Sequence, residues 1–261
     1  MDTPKDHHVP RSTNAEDYQD LPQPMAVLPK VFEDGHVIPP HSHKRDQLLY
    51  AISGVMRISA AETSWIVPPD RALLMPSGQE HSVEMHGEVQ MRTLYISPVR
   101  QAEMKVLSVP SLLRELIVAL SQEPMDYTNN DRAERIAELI AIELERCETL
   151  PLSIPLPTDP RLQKFCIKIM ENPSLNASFE QLAENTGASS KTLARLCSRQ
   201  LGMSLGEWRR RVRFASAMEL LAKGTPIKVA ASLCGYASAA AFTHAFRKEF
   251  RIRPSELQAK R

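Results

Sequence analysis

LAENTGASSKTLARLCSR (residues 182–199) and VAASLCGYASAAAFTHAFRK (residues 229–248) superpose with a slip of one or two residues, and this weak internal repeat decides how the second half of the chain folds. Each copy reads as a short helix, a turn at Gly187 or Gly235, and a second helix opened by a serine. Start signals support that register. Ser178-Phe-Glu-Gln181 and Ser204-Leu-Gly-Glu207 have capping-box spacing, in which a serine caps the first turn and a side chain three residues on reaches back. Thr225 followed by Pro226 suits an N-cap and a first helical position. Between the copies, LGEWRRRVRFASAMELLAKG (residues 205–224) reads as one helix, with Trp208, Val212, Ala215 and Met218 or Glu219 marking successive turns. About 18 helical residues span ~27 Å at 1.5 Å per residue. Such a strut can hold two second helices near the ~34 Å spacing of successive major grooves.

Residues 178 to 257 resemble the DNA-binding domain of the AraC/XylS family of bacterial transcription regulators. The resemblance rests on LAENTGASSKTLARLCSRQLGMSLGEWRRRVRFASAMELL (182–221) and IKVAASLCGYASAAAFTHAFRKEFRIRPSEL (227–257). It includes Gly235-Tyr236-x-Ser238, Phe242-x3-Phe246-Arg247-Lys248 and Pro254-Ser255. The resemblance implies two helix-turn-helix units whose second helices, near 189–200 and 238–249, enter adjacent major grooves of double-stranded DNA.

The residues of those helices carry their own reading. In the first, Ser190, Lys191, Ala194 and Arg195 share a face, and Arg195 is suited to two-pronged hydrogen bonds with guanine. Lys191 reaches a base or a phosphate, and Arg199 continues the basic face. In the second, Ser238 opens the helix and Ala239, Ala240 and Ala241 stand where longer polar groups would read bases, leaving Thr243, His244 and Arg247. The first unit is therefore expected to carry more direct readout, and the second more backbone contact with alanine against thymine methyls.

Charge divides the chain in the same place. Residues 1–157 hold 14 Lys and Arg against 23 Asp and Glu, a net of −9, whereas residues 158–261 hold 18 against 8, a net of +10. A basic part joined to an acidic part is the pattern of one domain that meets a polyanion and one that does not. At 261 residues the chain also exceeds the usual ~100–200 of one domain.

The N-terminal half reads differently. Residues 1–24 are polar and proline-dotted, which suggests a disordered tail with His7 and His8 solvated. From Met25 to Ser97, runs such as LLYAISGVMRIS, SWIVP, ALLMP and MRTLYIS are separated by Pro, Gly and Asp and read as many short strands. Within them, Gly35-x5-His41-x-His43-x3-Gln47-x6-Gly54 resembles the first motif of the cupin superfamily, with glutamine where metal-binding members usually have glutamate. Asp70-x5-Pro76-x-Gly78-x2-His81 resembles the second, with Asp70 in place of its leading glycine and Met85 in place of its last polar residue. His41 and His43, two apart on a strand, point to one face, and a neighbouring strand can bring His81 across. Three imidazoles with an open position suit Zn, Ni or Fe(II). Glutamine at position 47 removes a charged ligand, which weakens the site and leaves room for a ligand molecule such as an azole or similar nitrogen donor. The same histidines equally suit a purely organic effector pocket, where they only donate hydrogen bonds.

Two helical patterns follow, SLLRELIVALSQ and DRAERIAELIAIELERCE. In the second, Ile136, Leu139, Ile140, Leu144 and Cys147 fall on one face, a stripe that suits core packing or a dimer seam. By the family resemblance this region, 98–150, mediates dimerisation. LPLSIPLPTDP then reads as an extended, stiff linker over 151–160, ahead of the DNA-binding domain at 161–261.

The expected class is α+β: a cupin-like β-barrel over 25–97 plus helices, then an all-α double helix-turn-helix domain. No run of ~20 apolar residues suits a membrane span and the start lacks a secretion signal, so a cytoplasmic protein is expected. Cys147, Cys166, Cys197 and Cys234 are scattered and read as reduced thiols. A cupin metalloenzyme, an isomerase or oxygenase fused to a nucleic-acid-binding domain, is the alternative; it has no use for a basic double helix-turn-helix. A one-component regulator, not an enzyme, explains both halves. Analogy suggests a homodimer controlling a transporter or catabolic operon, with RNA polymerase as a further partner.

Overall fold

The computed structural model describes residues 12–98, 103–150, 153–174, 176–250 and 253–257. The β-branched and apolar runs form β1 (Met25–Phe32), β2 (Val37–His41), β3 (Asp46–Tyr50), β4 (Val55–Ala60), β5 (Thr63–Val67), β6 (Arg71–Met75), β7 (His81–His86) and β8 (Val89–Ile96). Three later strands join them: β9 (Lys105–Ser108), β10 (Thr149–Leu150) and β11 (Ser153–Pro155). They pair antiparallel into two sheets, ordered β1-β8-β3-β6-β9-β10 and β11-β5-β4-β7-β2. This is the cupin-like part of the expected α+β class.

Period-two alternation explains the layers. Leu49, Met56, Ile58, Leu73, Val83 and Met85 fill the space between the sheets, while Leu48, Tyr50, Leu94 and Leu107 turn outward onto α1 (Ser111–Leu120) and α2 (Asp131–Arg146). The stripe on α2 resolves accordingly. Ile136 and Ile140 lie in the chain's own core and are not available to a partner. Leu144 is half-buried against that core, and Leu139, 46% exposed, is the seam candidate that faces outward, joined by Ile142.

Two expected boundaries need correction. Residues 12–24 are not a free tail: a short 3-10 helix at Ala15–Tyr18 plants Tyr18 against Ala26, Leu28 and Tyr95. Buried Arg45 donates to the carbonyls of Gln19, Leu21 and Gln23, and Lys44 pairs with Asp20 at 2.8 Å. The polar composition of this stretch masked its apolar anchors. Residues 1–11, with His7 and His8, lie outside the described residues. Nor is the 151–160 segment a free linker, because Ser153–Pro155 pairs with Thr63–Trp65 at a sheet edge, where proline is tolerated.

The C-terminal part comprises α3 (Pro160–Glu171), α4 (Phe179–Ala183), α5 (Ser190–Leu201), α6 (Leu205–Ala222), α7 (Ile227–Leu233) and α8 (Ala239–Phe250). Ser178 and Gln181 form the full capping box, and the Ser204 hydroxyl accepts from the Glu207 amide at 3.1 Å. The cap of α7 falls one residue later than expected, on Pro226, without a side-chain bond. Around α6, Leu193, Trp208, Phe214, Met218, Phe242 and Phe246 merge into one core. The Trp208 indole N–H donates to the Pro155 carbonyl at 2.9 Å, tying this core to β11. Among the described residues no helix is long and apolar enough to cross a membrane, and all four cysteines are free thiols.

Candidate functional site

His41 and His81 are register partners on β2 and β7, and His43 follows just beyond β2. Their rings lie 4.4 Å (His41 to His81), 4.8 Å (His41 to His43) and 5.7 Å (His43 to His81) apart between centroids. One nitrogen from each falls within 4.8 Å of the others. The Nδ1 of His41 bonds the Pro39 carbonyl at 2.8 Å, and the Nδ1 of His81 bonds the Gln79 carbonyl at 3.0 Å. A carbonyl only accepts, so each Nδ1 carries the proton and each Nε2 keeps a lone pair. Both ring nitrogens of His43 and the Nε2 of His81 are buried without a hydrogen-bond partner among the described residues. Burial, then the neighbouring His41 and His81, pushes His43 down to about 4. Burial lowers His81 as well. The imidazoles of His43 and His81 are therefore neutral near pH 7, as metal coordination requires.

Gln47 sits in β3 beside its partner Tyr95 in β8. Its amide donates to the Tyr95 hydroxyl at 3.5 Å, while its Oε1 is buried without a partner among the described residues. Tyr95 meets the His43 ring edge-on at 5.0 Å and the Tyr18 ring at 5.8 Å, and burial raises its phenol so that it stays protonated. Tyr95 and the covering segment around Tyr18 were not read from the sequence, although alternation along MRTLYIS places Tyr95 on the same face as Met91. Beside His43 opens a cleft of about 350 Å³ lined by Glu16, Gln19, Lys44 and Ser77, within the ~300–1,000 Å³ range of small-molecule sites.

The second set of candidates lies on α5 and α8. On α5, Leu193, Leu196 and Cys197 face the core, leaving Lys191, Ala194, Arg195 and Arg199 exposed; Ser190 is half-buried and donates to Glu180 at 3.0 Å. On α8, Phe242, Phe246 and Phe250 face the core, Ala240, His244 and Arg247 are exposed, and Ala239 and Thr243 are half-buried. The Ser238 hydroxyl accepts from the Ala241 amide at 3.1 Å, which gives it a capping duty. The basic run of α6 is largely structural. Arg209, Arg211 and Arg213 donate to the carbonyls of Ala177, Ser153 and Pro173. Gly235, at φ +77°, supplies the left-handed backbone of the second turn, which residues with a side chain adopt only under strain.

A model of the AraC-like ligand binding domain matches residues 32–144, and a helix-turn-helix domain model matches residues 182–260. The chain is 27% identical over 213 residues to the HTH-type transcriptional regulator NimR of Escherichia coli K12, spanning 80% of this chain and 78% of that one. It is 36% identical over 101 residues to the HTH-type transcriptional regulator RipA of Corynebacterium glutamicum, 39% of this chain and 30% of that one. A crystal structure of ToxT from Vibrio cholerae with a bound unsaturated fatty acid aligns over 94% of this chain and 96% of that one, at 12% identity and a TM-score of 0.37. With a ligand-binding barrel ahead of two helix-turn-helix units, and both parts matched in order, the chain belongs to the AraC family of transcription regulators, proteins that sense a small molecule and bind DNA.

Proposed function

We propose that the barrel holds its effector at His41, His43, His81, Gln47 and Tyr95, anchored by a divalent transition ion, and that occupancy of this site sets how α5 and α8 meet DNA. The observation that carries the reading is the convergence of three imidazoles, those of His43 and His81 buried, with the Nδ1–H groups of His41 and His81 already committed to backbone carbonyls. The residues fit Zn, Ni or Fe(II), with His41, His43 and His81 as ligands. Such an ion, when bound, supplies an open coordination position for a donor atom of the effector, an azole nitrogen being one suitable class. Tyr95 and Gln47 offer hydrogen bonds to the same molecule, and the segment around Tyr18 shields it from water.

On the DNA side, Lys191 and Arg195 read bases with Ser190 and Arg199 beside them, while Ser238, Ala239, Ala240, Thr243, His244 and Arg247 follow the backbone and thymine methyls. The protein acts in the cytoplasm as a homodimer through Leu139 and its neighbours, on a nearby transporter or catabolic operon, with RNA polymerase as a partner where it activates. The barrel binds its ligand without turning it over.

The test is metal content of untagged, purified protein, wild type beside His81→Ala. About one equivalent per chain, lost in the variant, supports the site. No metal in either protein after reloading removes the ion and leaves an organic pocket with histidine lining.

A further inference from the structure

Helix α6, which joins the two helix-turn-helix units, also packs on the outer face of β4 and β7. Successive strand residues face opposite ways, so His81, Val83 and Met85 of β7 face the barrel interior while Glu84 and His86 face outward. Arg57 of β4 is the register partner of Glu84 and forms an ion pair with Glu219 of α6. His86 Nε2 stands 3.8 Å from the same Glu219 oxygen and 3.6 Å from Glu84. Directly after it, the backbone of Gly87 touches the end of α6: a Cβ there would lie 2.6 Å from the Ala222 carbonyl oxygen. The Gly87 amide donates to Asp34 at 2.9 Å, and Asp34 pairs with Lys223 at 3.2 Å. Val55, Ile66 and Ile154 of the barrel share a core with Phe214 and Met218, and Ile66, Ile154, Phe214 and Met218 line a small cleft of about 20 Å³ between them. On β6, Arg71 donates to the carbonyl of Phe250, the last residue of α8, at 2.8 Å.

We propose that Arg57, Glu84 and His86 form with Glu219 an interdomain latch, and that β7 conveys the state of the histidine site at His81 to α6 and so to the relative placement of α5 and α8. The contact suits two discrete states. Glu219 and Arg57 are mostly shielded in the closed arrangement, so loss of Glu219 leaves Arg57 only its 4.0 Å pairing with Glu84, and loss of Arg57 leaves Glu219 only His86 beside it. The missing side chain of Gly87 lets the end of α6 pack directly on the β7 turn, so any residue with a Cβ there would push the helix away. Two arrangements biased from both ends are what coupling between sites requires. The proposal rests on the barrel histidines being the effector site.

The test is a double-mutant cycle between residues that do not touch. His81→Asn and Glu219→Gln, singly and together in the full chain, are assayed for affinity to the operator that the wild type selects from random-sequence DNA. Each single change is expected to shift affinity roughly fivefold or more, and the double variant to match Glu219→Gln alone, because the message from His81 ends at the latch. Effects that simply multiply would overturn the proposal, as would a folded Glu219→Gln protein with wild-type affinity. Arg57→Gln breaks the same pair from the other side and must give the same result. Nitroxide distances between Val31→Cys and Val229→Cys, in a Cys147→Ser background, read docking without DNA. Broadening in Glu219→Gln is expected, and an unchanged distribution in both latch variants sinks the latch. A silent His81→Asn beside an active Glu219→Gln would instead remove the histidine site from the pathway, a failure of the effector reading.

Discussion

His81 and His86 stand at opposite ends of the six-residue β7, the first facing into the barrel beside His41 and the second facing out against Glu219 of α6. One short strand thus touches both the candidate effector site and the helix that spaces the DNA-facing units. Nothing longer than that strand separates the two.

Arg195→Ala is expected to lower affinity for the selected operator by about 1–3 kcal/mol while random DNA binds nearly as before, since a guanine-directed side chain carries sequence information. Arg199→Ala is expected to weaken both DNAs alike and to flatten the salt dependence. Quantitative gel-shift titrations at two salt concentrations separate the cases; equal losses for Arg195→Ala on both DNAs would reassign it to the backbone.

Trp208 is fully buried at the centre of the α6 core and bonds Pro155. Trp208→Ala is expected to cost about 3–5 kcal/mol through the cavity it leaves. Trp208→Phe is expected to cost about 1 kcal/mol or somewhat more, chiefly the hydrogen bond. Urea unfolding followed by circular dichroism measures both, and a Trp208→Ala protein as stable as wild type would contradict this packing.

Acid should destabilise the metal-free protein through His43. The unfolded chain takes up the proton near 6.5 and the folded site only near about 4. Between those values the unfolded state binds more protons, so stability falls as pH falls through that window. Urea midpoints of chelator-treated protein are expected to drop from pH 7 to pH 5, with a shallower drop in His43→Gln. Parallel slopes for the two proteins would argue that His43 is not buried in its neutral form.

Leu139 and Ile140 are adjacent on α2, about 100° apart around the helix, and only the second reaches the core: they are 46% and 0% exposed. If the proposed homodimer forms through this face, Leu139→Asp is expected to leave folding intact and to give a monomer in sedimentation experiments, whereas Ile140→Asp is expected to unfold the helical layer. A monomer at every concentration of unmodified protein would dispose of the seam at Leu139.

Much of this organisation was legible in the chain. The repeat, its serine caps and the charge break marked the helix-turn-helix units, because those features are local. The His41, His43 and His81 grouping was legible from strand alternation plus motif spacing. The stripe on α2 could not be resolved into core and surface, because both obey the same period. Helix α6 lacks a single stripe since it is covered by two helical units and a barrel at once. The latch left no trace at all: Arg57, His86 and Glu219 are far apart in sequence, and it takes both the β4–β7 register and the packing of α6 on that sheet to bring them together.

The central claim is that the state of the barrel histidines governs DNA binding. Its most direct measurement is operator affinity of the wild-type protein, metal-stripped and zinc-loaded, beside His81→Ala treated identically. The account predicts at least a roughly fivefold difference between the two wild-type states, the size of an ordinary allosteric coupling, and none in His81→Ala. Equal affinities for stripped and loaded wild type, with zinc shown to be bound, would contradict it.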